Sequence, residues 1–188
     1  IASGSTALAE RMLRTALTTA QSPAEASGAA AGLARLPNPP LAVLLPLLET
    51  GTPTVAGAVA QALVDAQGAE VTRGLAEASR YARGAFRVAL LNLLAERGDA
   101  LAGSAVREAL SDPEEAVRTA AVTALGRLGS FADVPRLAAA LGDPGRAPRA
   151  AAREALRLMS GTLVTRQLVL LAQQPASEAL GLAPADQK

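Results

Sequence analysis

Ser111-Asp112-Pro113-Glu114-Glu115-Ala116-Val117-Arg118 and Gly142-Asp143-Pro144-Gly145-Arg146-Ala147-Pro148-Arg149 lie 31 residues apart and carry Asp-Pro and Arg in the same columns. The register continues downstream, with Ala120 over Ala151, Ala121 over Ala152, Ala124 over Ala155, Leu125 over Leu156 and Leu128 over Met159. One step back, Phe86, Arg87, Ala89, Leu93 and Leu94 occupy these columns, and a further step brings Val55, Ala58, Ala62 and Leu63. The upstream half of each unit agrees: Leu13, Leu44, Leu75, Val106 and Leu137 share one column, and Leu17, Leu48, Leu110 and Leu141 another, Ser79 being the exception. The first unit needs one residue of slippage to bring Leu33 and Leu36 under Leu125 and Leu128. Self-similarity at a fixed period of this size is the signature of a repeat architecture, in which each unit buries its apolar face against its neighbours.

Each unit reads as two helices. Val134, Leu137, Ala138 and Leu141 fall on one helical face, as do Val117, Ala120, Ala121, Ala124, Leu125 and Leu128. Between them Asp-Pro supplies a start signal, the Asp side chain capping free amides and the Pro taking the first helical position. Gly129 supplies a stop. The expected pairs are 5–19 and 22–35, 39–49 and 53–67, 69–80 and 83–97, 99–110 and 113–128, and 132–141 and 144–159. The fold expected is all-α, a right-handed α-solenoid of about five helix-hairpin repeats in a single domain over 1–188, with units at about 5–36, 39–67, 69–98, 99–129 and 131–160. A partial terminal unit is expected over 162–182, where Leu168, Ala172 and Pro175 keep the register. Either this short piece caps the array, as terminal units do by hiding its apolar face, or the chain was cut from a longer one. The opening at Ile1 without an initiator Met is expected to follow removal of something upstream, so the chain is read as a portion of a longer product.

Composition narrows the chemistry. The 188 residues include neither His nor Cys, which leaves no thiolate nucleophile, His-assisted serine triad, imidazole proton shuttle or zinc site of the usual nitrogen and sulfur kind. Aromatic residues make up 2%, whereas Ala occurs 46 times and Leu 30 times, a mixture suited to closely spaced helices and lacking rings on which bases stack. The formal charge is +1, and 17 of the 18 cations are Arg, read as the bias of a GC-rich genome. Nucleic acid is disfavoured as a partner, since a basic footprint is the usual requirement. The most apolar stretch, Leu41 to Leu48, contains Pro46 and is far short of the roughly 20 residues that span a bilayer. No compartment is indicated.

The run from Ala109 to Gly129, with Asp112-Pro113, Val117-Arg118, Ala120-Ala121 and Ala124-Leu125-Gly126-Arg127-Leu128-Gly129, resembles the short HEAT repeat, specifically the HEAT-like repeat of phycocyanobilin lyase subunits. The resemblance is strongest in units four and five. It implies a solenoid whose second helices line a concave face and whose usual work is to bind other proteins. It also implies that Arg87, Arg118 and Arg149 form a structural ladder tying neighbouring units through the turn residues Asp112 and Asp143.

Candidate partner-binding residues lie off the core face. Arg146, Arg153 and Arg157, with Arg149, are spaced to make one stripe on the last second helix, a basic patch suited to an acidic partner or a phosphate. Val88, Leu91 and Val122 occupy columns read as a shallow apolar floor beside it. The carboxylates Glu114, Glu115, Glu70, Glu77 and Asp99 fit no acid/base motif, and Glu114 and Glu115 complement a helix dipole. Gly126-Arg127-Leu128-Gly129-Ser130 lacks the pattern of a phosphate loop. No catalytic, cofactor or metal site is expected. The function expected is a non-catalytic scaffold or adaptor that binds a protein or peptide on the concave face. The alternative implied by the resemblance is a partner-dependent lyase or chaperone subunit similar to the bilin lyase subunits.

Overall fold

The structure, a computed structural model, describes residues 2–159. The expected partial unit over 162–182 lies outside the described residues. Ten α-helices and two short 3-10 turns are formed among them, with no strand. The helices are α1 (Ala2–Thr19), α2 (Pro23–Ala34), α3 (Leu41–Thr50), α4 (Pro53–Asp65), α5 (Ala69–Tyr81), α6 (Gly84–Arg97), α7 (Gly103–Ala109), α8 (Glu115–Leu128), α9 (Val134–Ala140) and α10 (Arg146–Leu158). They fall into the five expected pairs. The chain divides into two compact units, Ile1–Arg97 and Gly98–Lys188.

In the first unit α1 packs on α2, α3 on α4 and α5 on α6, while the second helices stack α2 on α4 and α4 on α6. In the second unit α7 pairs with α8 and α9 with α10, and α8 stacks on α10. Each unit is thus a set of stacked helix hairpins, the arrangement from which α-solenoids are built. The 3-10 turns Ala100–Ala102 and Phe131–Asp133 lead into α7 and α9 at corresponding places in their repeats.

The repeat columns are the core. Leu44, Leu75, Val106 and Leu137 are fully buried, as are Leu33, Leu63, Leu94 and Leu125 on the second helices. The Leu17 column is looser: Leu17, Leu48 and Leu110 are half-buried and Leu141 is exposed. Ser79, the exception in that column, is buried, and its hydroxyl donates to the Ala76 carbonyl at 2.7 Å, satisfying a polar group in place of filling space.

The helix starts divide into two kinds. Ser22 and Thr52 are true N-caps, accepting from the amides of Glu25 and Val55, with Pro23 and Pro53 at the first helical position. At the Asp-Pro turns the expectation is corrected. α8 begins at Glu115 and α10 at Arg146, so Asp112 and Asp143 lie upstream of the caps. Each forms an Asx turn, Asp112 Oδ1 accepting from the Glu114 amide at 2.8 Å and Asp143 Oδ1 from the Gly145 amide at 2.7 Å. A carboxylate held this way keeps an edge available for a second donor.

Candidate interaction surface

The Asp-Pro turn is a socket for arginine. From the first turn of α8, Arg118 Nη1 donates to the carbonyls of Asp112 and Pro113 at 2.8 and 2.9 Å. This orients the other edge of the guanidinium toward the next repeat, where Nε and Nη2 donate to the two oxygens of Asp143 at 2.7 and 3.1 Å. Such a paired contact is the geometry in which arginine and carboxylate bind most strongly. Arg118 holds the Asp143 carboxyl below the usual carboxylate range, and the Gly145 amide and the nearby Arg149 act in the same direction against partial burial. Arg149 repeats the first half of the pattern, donating Nη1 to the carbonyls of Asp143 and Pro144 at 2.7 and 2.8 Å. Arg87 is half-buried on α6.

Three further contacts define how α10 sits on α8. Glu115 Oε1 accepts from the Ala147 amide at 3.1 Å, a carboxylate at the positive end of the neighbouring helix. A side chain on Gly145 would strike it, since a Cβ there falls 2.5 Å from Glu115 Cδ. A Cβ on Gly126 would fall 2.5 Å from Ala155 Cβ and 3.1 Å from Ala155 Cα, so the absence of a side chain lets the two backbones approach. Glu115, Arg118, Val122 and Gly126 therefore make up one flank of α8, at helical spacings of 3 and 4, and this flank receives the fifth repeat.

Val122 lies within that flank and is buried, and Leu91 is buried on α6. Neither forms the exposed apolar floor expected of them, because both side chains are buried. Val88 is half-buried. Arg146, Arg153 and Arg157 are exposed on α10. Arg157 pairs with Glu154 through bonds of 2.8 and 2.6 Å, which lowers the Glu154 carboxyl, whereas Arg146 and Arg153 have no ionic partner among the described residues.

Two polar clusters were not singled out by sequence reasoning. Arg107 donates Nε and Nη2 to Asp133 at 2.7 and 3.0 Å, joining α7 to the start of α9. Arg107 holds the buried Asp133 carboxyl below its usual range, and Arg136 and Ser130 add to this against burial. The signal was present, because Arg107 stands in a column that is Ala76 and Ala138 in adjoining repeats, and Asp133 in one that is Ala102. Opposite charges that break two apolar columns in neighbouring repeats are a pair waiting to be matched. In the first unit Arg97 reaches from the end of α6 to the last carbonyls of α4, donating to Leu63, Val64 and Ala66, and its Nε donates to Thr72 on α5. It supplies the donors that a helix C-terminus lacks.

A groove of about 250 Å3 runs between α8 and α10, lined by Thr123, Gly126, Arg127, Ala151, Glu154, Ala155 and Leu158. Its floor is the close approach of Gly126 and Ala155, and Leu158 at its lip is 64% exposed. Among the described residues no group of three acidic residues is placed to hold a metal ion. No described helix is long and apolar enough to cross a membrane.

Residues 75–157 match the family model for HEAT repeats. The matched stretch, less than half of the chain, is similar to HEAT repeats. The match covers α6 to α9 entire, with most of α5 and α10, and so contains the Arg118–Asp143 and Arg107–Asp133 pairs and all of the groove lining but Leu158. It is to HEAT repeats as a class and does not reach the lyase-type subtype. No curated protein was found to match the chain.

Proposed function

We propose that the chain is a non-catalytic protein-interaction module whose HEAT repeats present α8 and α10 to a partner. HEAT repeats commonly serve as protein-interaction scaffolds. The observation that carries the reading is the pairing, on one helix pair, of an apolar groove whose lining includes the exposed Leu158 and Arg127, with the exposed arginines Arg153 and Arg157 on another face of α10. An accessible aliphatic anchor at an apolar groove is the composition of a binding patch in which a few residues carry most of the energy. Val88 remains a candidate contact on α6. Leu91 and Val122 do not, because a side chain without surface cannot meet a partner.

The test is quantitative capture of binding proteins by the wild-type chain and by Leu158→Asp and Arg153→Glu, with thermal melts confirming that both variants fold. Loss of the same proteins in both is expected. Equal capture by all three chains removes this surface from the function.

A further inference from the structure

The flank of α8 that receives the fifth repeat is Glu115, Arg118, Val122 and Gly126. Adding the 31-residue period gives Arg146, Arg149, Arg153 and Arg157 on α10. Subtracting it gives Gly84, Arg87, Leu91 and Ala95 on α6, and a second step gives Pro53, Ala56, Ala60 and Val64 on α4. In α8 the flank is the packing surface that receives the fifth repeat, with Val122 buried, and in α6 Leu91 and Ala95 are buried too. In α10 every one of its positions is arginine. Like charges three and four apart on a helix repel one another, each pair costing a few tenths of a kcal/mol. Glu154 offsets one of the four through Arg157.

Arg149 shows what this flank lacks. Its Nη1 is fixed by its own turn, as that of Arg118 is, but its Nε and Nη2 edge, which in Arg118 holds Asp143, has no acceptor among the described residues. We propose that this arginine flank binds a carboxylate-rich segment of a partner protein, one carboxylate seating in the Arg149 fork as Asp143 seats in that of Arg118, with Arg146 and Arg153 holding its neighbours. Carboxylate is the chemistry because the same fork, set by the same turn carbonyls, takes a carboxylate one repeat earlier. This names the partner chemistry of the interaction module and rests on that reading.

The probe is a fluorescein-labelled oligo-aspartate peptide titrated by anisotropy with the full chain at low and physiological salt. Saturable binding that weakens with salt is expected. Arg149→Gln and Arg153→Gln each weaken it by about tenfold, the scale of a lost charge-assisted contact. Arg153 touches no turn carbonyl, so its variant tests the flank even if Arg149→Gln disturbs the start of α10. Arg149→Lys keeps the charge without the fork and recovers part of the loss. Glu154→Gln releases Arg157 and tightens binding. Arg35→Gln, on an exposed arginine of the first unit, leaves binding unchanged. Absence of binding, equal loss in Arg35→Gln, or duplex DNA bound as tightly as the peptide overturns the proposal. If the peptide fails while Leu158→Asp still abolishes partner capture, the carboxylate flank is wrong and the interaction module stands.

Discussion

At Asp133 a buried carboxylate meets two donors of Arg107, and the pH dependence follows from its depressed pKa. Its stabilisation is complete above the usual carboxylate pKa of about 3.9 and is lost as pH falls through the lower value it has in the folded chain. Asp133→Asn is expected to cost about 1–2 kcal/mol at neutral pH, toward the low end because Arg107 keeps access to water. In urea melts the gap between wild type and variant narrows as the solution is acidified through that range; a constant gap refutes the assignment. The equivalence of Val122 and Arg153 is tested at the same scale. Val122→Asp places an unpaired charge in a packed interface and is expected to cost about 3 kcal/mol or more, while Arg153→Asp stays within about 0.5 kcal/mol. Equal costs in denaturation would show that the two faces are not related by the register. Sequence columns identified the arginines and aspartates that recur, because a residue repeated with the fold is visible as a column. They did not separate packing flank from solvent at Leu91 and Val122, since one step around a helix changes burial without changing periodicity. The Asp-Pro turn was misread for a related reason: capping and Asx turns use the same residue and differ only in which amide it accepts from.

At the scale of elements, the pairing of α8 with α10 depends on Gly126. Replacing a helical glycine with alanine ordinarily gains up to about 1 kcal/mol of helix propensity. Here the new methyl group meets Ala155 on the neighbouring helix at 2.5 Å, and forcing two backbones apart in a packed interface costs about 1–3 kcal/mol. Overpacking wins, so Gly126→Ala is expected to be destabilising by thermal melt, and Ala155→Gly in the same chain to recover part of the loss. A stabilised Gly126→Ala single variant would mean that the helices are farther apart than described. All ten helices were legible from the apolar period and the turn residues, for the physical reason that a repeated hairpin states its pattern five times. The 3-10 openings before α7 and α9 were not, because a tightened first turn keeps the same residues on the same face. The groove was hidden too: it exists because Gly126 lacks a side chain against Ala155, a relation between repeats that no single repeat contains.

For the whole molecule, stacked helix hairpins account for the columns of buried aliphatic residues, and residues 75–157 of them match HEAT repeats. Small side chains let second helices stack closely, and a chain that spends its aliphatic residues this way presents its chemistry as surface. In the second unit that surface is the groove beside Leu158 and the arginines of α10. Fold class was open to sequence reading because it follows from period and polarity. The proposed binding face was only half open, because exposure depends on which flank each repeat turns to the next. The most direct test of the central claim is side-chain footprinting of the full chain with and without its captured partner, reading solvent labelling residue by residue. Protection of Leu158, Arg127 and Arg153, with the exposed residues Leu8 and Met12 of α1 unchanged, is the predicted result. Protection confined to the first unit, with Leu158 and Arg153 labelled equally in both samples, would contradict it.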